Sequence, residues 1–457
     1  MRWQVEVDNL DAPQWTDAQR TEAKQLRADE FRYWRRLREA TWELSQAKDD
    51  AAKAAVIAAA LKDGLEATKD GVGYGKTHPR GANLGRLSNQ GWFDHPAFYH
   101  RATFYTGQTM PSAVCDGERV YVHTALSAVA CFDLQGKRLW LADARFLRSR
   151  FHRAVNLLTA SPVLAGGLLV AFAQRGTDEA VAYDARTGAE RWRHVPQEPT
   201  RNHYAPGSTP VVLDLNGTPA LYLTSGYVLR LADGAVLGRL RHPQHDVAKT
   251  AHFGNYGCSV GRGDQLFVNH GQYGSSAPGV FAFRLGLNDA RLASESAWRA
   301  QGAKDKTRSY QHLILDGDRV IAADQGKVLD AATGKVLAEI PDVGVSDPGP
   351  ILADGLVISL RRFTSKAKPV AKGNTRRSGC EVRFYDAATF QQVGGGFLEA
   401  DAANEAKRRQ CIAVGGTDAW GWGGGNWGGQ ECNAGLAADG DALFLRSNDN
   451  LYCVGKK

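Results

Sequence analysis

A chain of 457 residues, 43% of them hydrophobic and 23% charged, has the make-up of an ordinary globular protein, and no stretch of it reaches the roughly 18 apolar residues that a membrane-crossing helix needs. Its formal charge of +7 is scattered along the chain, which serves solubility and leaves no footprint for nucleic acid. Fifty glycines against two methionines, with many short apolar runs, point to short strands joined by tight turns.

The first residues, Arg2-Trp3-Gln4-Val5-Glu6-Val7, read as a strand and lack the charged, apolar and small-residue succession of a secretory leader. Residues 10–70 change character. Thr16-Asp17-Ala18-Gln19 is a capping box, and neither Gly nor Pro occurs between Gln14 and Asp63. Phe31, Trp34, Leu37 and Leu44 recur at helical spacing, and Lys48-Asp49-Asp50 breaks the run into a hairpin of two helices. The aromatic stripe is expected to pack on the body of the protein, with a docking arm for a partner as the alternative. Residues 71–110, rich in Gly, His and aromatics, read as an irregular connection.

From residue 111 to 457 the chain repeats a two-part phrase. The first part is a turn and an apolar strand, as in Asp116-Gly117-Glu118-Arg119-Val120-Tyr121-Val122. Counterparts begin at Gly166-Gly167, Asn216-Gly217, Gly263-Asp264, Asp316-Gly317, Asp354-Gly355 and Asp439-Gly440. Such dipeptides supply the positive φ of tight hairpin turns. The second part is an apolar strand, an acidic turn and a closing strand, clearest in Ala182-Tyr183-Asp184-Ala185-Arg186-Thr187-Gly188-Ala189-Glu190-Arg191-Trp192. Residues 131–140 repeat it, 329–337 lack the tryptophan, and 230–234 and 384–389 are degenerate copies. Four short strands over about 40–55 residues match the period of a propeller blade.

The phrase Asp-x-x-Thr-Gly-x-x-x-Trp, as in Asp184 to Trp192, resembles the tryptophan-docking repeat of pyrroloquinoline-quinone-type propellers. That superfamily includes quinoprotein alcohol dehydrogenases and the propeller lipoprotein of the outer-membrane β-barrel assembly machinery. The resemblance covers residues 105–457 and implies a fold more than an activity. The last unit stops after Leu451-Tyr452-Cys453-Val454-Gly455 without a closing strand, and residues 2–8 read like the closing strand Arg191–Val195. The expected fold is all-β, a seven-bladed β-propeller whose last blade is completed by residues 1–9, with the helical hairpin inserted near the N-terminus. Eight blades is the alternative, because relatives often have eight and carry a leader, in which case this chain is the C-terminal part of a longer one.

The connections between blades share a composition that suits an anionic or polyhydroxylated ligand. They carry His152 and Arg153; Arg201, His203 and Tyr204; His252, Asn255 and Tyr256; Arg308, Tyr310 and His312. Equivalent places in successive blades converge on one axis, so these side chains are expected to line a channel mouth. Trp420, Trp422 and Trp427, set among glycines, are either a stacking platform for a sugar or planar group or plugs between blades. A basic cluster of Arg361, Arg362, Lys366, Lys368, Lys372, Arg376 and Arg377 reads as a long solvated hairpin loop, or else a landing strip for an acidic polymer.

The seven cysteines show no Cys-x-x-Cys spacing and no adjacent pair, which speaks against a zinc or iron–sulfur site and against the vicinal pair of quinone dehydrogenases. Cys115 with Cys131 is a conceivable disulfide, and buried free thiols are the alternative. No metal is expected, and neither pyrroloquinoline quinone nor calcium. No P-loop, dinucleotide fingerprint, Gly-x-Ser-x-Gly elbow or His-Glu-x-x-His occurs. The sequence therefore reads as a monomeric binding or scaffold propeller of the cell envelope, periplasmic or extracellular if a leader is missing and cytoplasmic if the N-terminus is native. Its partner is a protein or an acidic polysaccharide. The alternatives are an enzyme acting on acidic polysaccharide and, further off, a quinone-dependent dehydrogenase.

Overall fold

A computed structural model of the chain describes residues 7, 9–68, 71–74, 112–124, 128–144, 160–173, 179–196, 209–223, 226–240, 259–270, 279–301, 313–322, 325–340, 350–364, 378–399, 436–439, 442–446 and 451–455. After a short turn at Asn9–Asp11 come helices α1 (Asp17–Gln46) and α2 (Asp50–Lys62), then a two-stranded hairpin of β1 (Leu65–Thr68) and β2 (Gly71–Tyr74). Thr16 caps α1 as the capping box requires, its hydroxyl accepting from the Gln19 amide at 3.3 Å while the Gln19 side chain accepts from the Thr16 amide at 2.9 Å. Asp49 caps α2 with one bond, its carboxylate accepting from the Ala52 amide at 2.8 Å. The strand Gly71–Tyr74 falls where the sequence suggested an irregular connection.

Six four-stranded antiparallel sheets follow among the described residues, each a meander in chain order. The first holds β3 (Val114–Cys115), β4 (Arg119–His123), β5 (Ala128–Asp133) and β6 (Arg138–Asp143). The second holds β7 (Val163–Ala165), β8 (Leu168–Ala173), β9 (Glu179–Asp184) and β10 (Glu190–His194). The third holds β11 (Val211–Leu215), β12 (Thr218–Tyr222), β13 (Tyr227–Arg230) and β14 (Val236–Arg239). The fourth holds β15 (Val260–Arg262), β16 (Gln265–His270), β17 (Gly279–Asn288) and β18 (Arg291–Gln301). The fifth holds β19 (Ile314–Asp316), β20 (Arg319–Ala322), β21 (Lys327–Asp330) and β22 (Val336–Glu339). The sixth holds β23 (Ile351–Ala353), β24 (Leu356–Thr364), β25 (Ser378–Asp386) and β26 (Gln392–Glu399). A final three-stranded sheet holds β27 (Leu436–Asp439), β28 (Ala442–Arg446) and β29 (Leu451–Gly455).

The first strands of neighbouring sheets touch, β3 with β7, β7 with β11, β11 with β15, β15 with β19 and β23 with β27, so the sheets radiate side by side as the blades of a β-propeller. Burial explains why the inner strands read as continuous apolar runs. Tyr121, Val129 and Cys131 face the second blade, while Ala128, Ala130 and Phe132 of the same sheet face the opposite way. A strand covered on both faces has no polar side to show. The face of the first blade turned away from the second is covered by Leu10, Ala12, Trp15 and Ala23, which come from the N-terminal turn and α1. Leu37, partly buried, packs instead within the helical unit, against the cluster of Ala40, Ala60 and Leu65.

The acidic turn between third and fourth strands is what joins blade to blade. In the second blade, Asp184 Oδ1 accepts from the amides of Arg186 and Thr187 and from the Thr187 hydroxyl at 3.1, 2.9 and 2.9 Å. Hydrogen bonding from Arg191, then from Thr187, holds this carboxyl well below the usual carboxylate range. Asp330 and Asp386 build the same turn. The following Gly adopts positive φ, and a tryptophan of the preceding blade lies flat on it. A Cβ on Gly188 would come within 2.6 Å of Trp140, one on Gly234 within 2.6 Å of Trp192 and one on Gly334 within 2.5 Å of Trp298. Each indole also donates to a backbone carbonyl of the receiving turn: Trp140 to Ala185 at 3.0 Å, Trp192 to Leu231 at 2.9 Å and Trp298 to Ala331 at 2.9 Å.

The seams after the third and fifth blades depart from this scheme. Between the third and fourth blades, Gly238 stands where a tryptophan would, and the lengthened β17–β18 hairpin brings Leu292 to within 2.5 Å of where its Cβ would lie. Between the fifth and sixth blades, Ala338 occupies the tryptophan position and Phe390, at φ 56°, the glycine position. Phe390 is buried in the slot beside Ala338, and Arg319 donates to the Ala387 carbonyl at 2.7 Å in place of an indole.

Candidate functional site

Four antiparallel strands give each blade two different ends. The turns between first and second and between third and fourth strands share one end, here the lower. The connections between second and third strands, and those leading to the next blade, share the upper end. The tryptophan contacts join lower turns of neighbouring blades, so the lower ends lie on one side of the molecule.

Buried polar side chains are distributed unevenly between these ends. His123 closes β4, Asp143 closes β6, Glu179 opens β9 and His194 closes β10; Ser259 precedes β15, Asn269 is next to last in β16, and Gln325 precedes β21. All are upper-end positions. Ser359, within the long β24, and Arg27, on α1, are the other buried polar residues described. Burial pushes the His123 imidazole down to about 4 against a backbone contact with Ala160 that works the other way, and it lowers His194 as well. Among the described residues, neither the oxygen nor the nitrogen of the Gln325 amide has a hydrogen-bond partner, a cost that a bound polar group would relieve. Tyr222, whose hydroxyl burial pushes upward, meets Ser259 at the same end of the seam between third and fourth blades.

The outer rim of the upper end is closed by charged groups. Arg193 reaches from the second blade to the Ala144 carbonyl of the first at 2.7 Å and holds Glu190 with two bonds of 3.0 and 2.8 Å. Trp15 donates to the buried Asp143 carboxylate at 3.1 Å, and Gln14 to the Asp143 carbonyl at 3.0 Å, which fixes the start of the helical hairpin to this rim. The lower end, by contrast, is lined by exposed turn aspartates already bonded within their own turns.

The connections that carry His152, Arg153, Arg201, His203, Tyr204, His252, Asn255, Tyr256, Arg308, Tyr310 and His312 leave and enter at the upper end, and these residues themselves lie outside the described ones. So do Trp420, Trp422 and Trp427 and, of the basic cluster, Lys366, Lys368, Lys372, Arg376 and Arg377; Arg361 and Arg362 belong to β24. The disulfide envisaged between Cys115 and Cys131 is not formed. Both thiols are free, and β4 separates their strands, Cys115 pairing with Val120 and Cys131 with Tyr121. Burial pushes the Cys131 thiol up to about 11, which keeps it protonated and inert. No group of three or more metal-ligating side chains occurs among the described residues.

Residues 100–272, which include β3 through β16, match the family described as outer membrane protein assembly factor BamB. Over those residues the repeat is similar to the PQQ-like one. That agrees with what the Asp184-to-Trp192 phrase implied, although the match spans less than half of the chain. Two solved structures are similar. BamB from Moraxella catarrhalis is 14% identical, with a TM-score of 0.43 over 76% of this chain and 84% of that one. Quinohemoprotein alcohol dehydrogenase from Comamonas testosteroni is 14% identical, with a TM-score of 0.48 over 75% of this chain and 64% of that one. Neither likeness speaks to activity, and the fold stands on the strand pairings above. No curated protein matches the chain.

Proposed function

We propose that this propeller is a binding or scaffold protein of the cell envelope, periplasmic, which holds a protein partner at its upper end and carries no quinone. The observation that supports this most directly is the gathering of buried polar side chains at the upper end, below the connections that bear His152, His203, His252 and His312. A surface that is to recognise a partner needs donors and acceptors held in place from beneath. The BamB-type match over residues 100–272 supports an envelope role, and the absence of any adjacent cysteine pair argues against a quinone enzyme. The reading includes a closed ring of seven blades, residues 2–8 supplying the fourth strand beside β29. Val7 lying against the first-blade cluster of Ala128, Ala130 and Phe132 fits such a closure.

Photo-crosslinking residues placed at Tyr204 and Tyr256, with Arg186 of a lower turn as control, test the assignment in cells. A discrete protein adduct is expected from the upper positions alone. It should disappear in the double variant His203→Ala, His252→Ala, whose melting temperature stays near wild type. Equal adducts from both ends, or loss of stability with unchanged crosslinking, would refute the proposal. Binding of the purified chain to polygalacturonate without any protein adduct would transfer the site to acidic polysaccharide.

A further inference from the structure

The second blade is fastened to both neighbours in one layout. At the lower end the fasteners are Trp140 and Trp192, which carry no titratable group. At the upper end they are imidazoles. His123 is 3% exposed, on the same side of β4 as Tyr121, which faces the second blade, and it contacts the backbone of Ala160, where the chain enters that blade. His194 is 6% exposed and packs on the Tyr227 ring of the third blade, centroids 5.3 Å apart and planes at 58°. The Arg239 guanidinium lies 4.8 Å from the centre of that same Tyr227 ring.

The seam between fourth and fifth blades supplies a contrast. Trp298 fastens its lower end, and at the place equivalent to His123 the fourth blade has Asn269, fully buried and unable to titrate. Among the described residues, the other charged or titratable groups at the two imidazole seams are few. Glu179, 2% exposed, and Arg193 stand at the first, with Asp143 at its rim bound to Trp15; Tyr227 and Arg239 stand at the second. No carboxylate described here faces His194 to welcome a proton, and burial holds the imidazole down.

We propose that these two seams form an acid-operated latch: protonation expels His123 and His194, the upper edges of the second blade part from the first and third, and the tryptophans hold the lower edges as hinges. Both imidazoles are held below their ordinary value of 6.5 by burial, His123 at about 4. Groups whose folded value is depressed favour the closed seams fully above 6.5, and that contribution falls away as the pH drops from 6.5 towards about 4. The opening therefore belongs to mildly acid conditions and leaves the neutral protein closed. It exposes the donors and acceptors beneath the upper surface, whatever that surface binds.

Hydrogen exchange, corrected for its intrinsic pH dependence, tests this on the whole chain between neutral pH and about 4. Protection of peptides covering 119–124 and 190–195 is expected to fall by about tenfold or more in acid, while the lower turn at 184–188 keeps its protection. In the double variant His123→Asn, His194→Gln the upper peptides should lose their acid response, and each single variant should flatten its own seam. Should the double variant not fold, NMR titration of the wild-type histidines decides: two imidazoles still neutral well below 6.5 support the latch, and none doing so overturns it. Simultaneous loss of protection at both ends, or an unaltered acid response in the variants, would also overturn it.

Discussion

The seam between the fifth and sixth blades makes a quantitative test of how these blades recognise each other. Phe390, 3% exposed, fills the space that an indole fills elsewhere, at the cost of a left-handed backbone at φ 56°. Truncating a buried Phe costs about 3–5 kcal/mol, and placing Gly at a left-handed position returns about 1 kcal/mol, so Phe390→Gly should destabilise the chain by about 2–4 kcal/mol. Ala338→Trp alone drives an indole into Phe390 and should cost about 1–3 kcal/mol as overpacking. The two together rebuild the Trp-on-Gly pair seen at Trp140 with Gly188, and the double variant should return to within about 1 kcal/mol of wild type. Urea titration of the four proteins closes the cycle, with a coupling of about 2 kcal/mol or more expected. Additive losses would mean that the slot does not accept an indole and that the equivalence drawn between these seams is mistaken.

Two further outcomes follow from the contacts described. Trp192→Phe keeps a ring over Gly234 but leaves the Leu231 carbonyl without its donor, so urea unfolding should show a loss of about 1–2 kcal/mol, against about 3–5 kcal/mol for Trp192→Ala. Trp15→Ala removes the anchor of the helical hairpin on the first blade and leaves Asp143 with one fewer donor. Limited proteolysis should then cut within residues 9–62 much faster while the 112–399 fragment survives; equal rates would show that the hairpin is held elsewhere.

Much of the fold was legible because its turns are chemically explicit. Asp184, Thr187 and Gly188 each have one job in the turn, and Trp192 stands at a fixed distance from them. The capping box at Thr16 and the break at Asp49 placed both helices for the same reason. Other features left no such mark. Leu65-Glu66-Ala67-Thr68 and its partner strand are only four residues each, too short for their alternation to stand out, so the small hairpin was hidden. Asp386-Ala387-Ala388-Thr389 read as a degenerate copy, whereas Phe390 and Arg319 form a different solution whose halves lie 71 residues apart. The Cys115–Cys131 suggestion failed because spacing alone does not reveal that a whole strand intervenes. At the upper end, His123, His194, Asn269 and Gln325 went unnoticed. For His123 and Asn269 the one sequence signal is a polar residue at the end of an otherwise apolar run, as in Val120-Tyr121-Val122-His123 and Leu266-Phe267-Val268-Asn269; His194, after Arg193, and Gln325, after Asp324, carry no such mark.

The variety of locks between blades bears on how such a chain assembles. Near-identical repeats invite mistakes, since any sheet offers an apolar face to any other while the chain is still collapsing. Here a Trp-bearing edge needs a turn with an open Gly, the third blade needs the reach of the β17–β18 hairpin, and the fifth needs the Phe390 plug. A Trp-bearing sheet that stacked on the sixth blade would meet a filled slot, and the fifth sheet on a Gly-bearing turn an empty one. The same irregularities that blur the repeat in sequence thus act as addresses, setting the third and fifth blades apart from those that share the Trp-on-Gly lock.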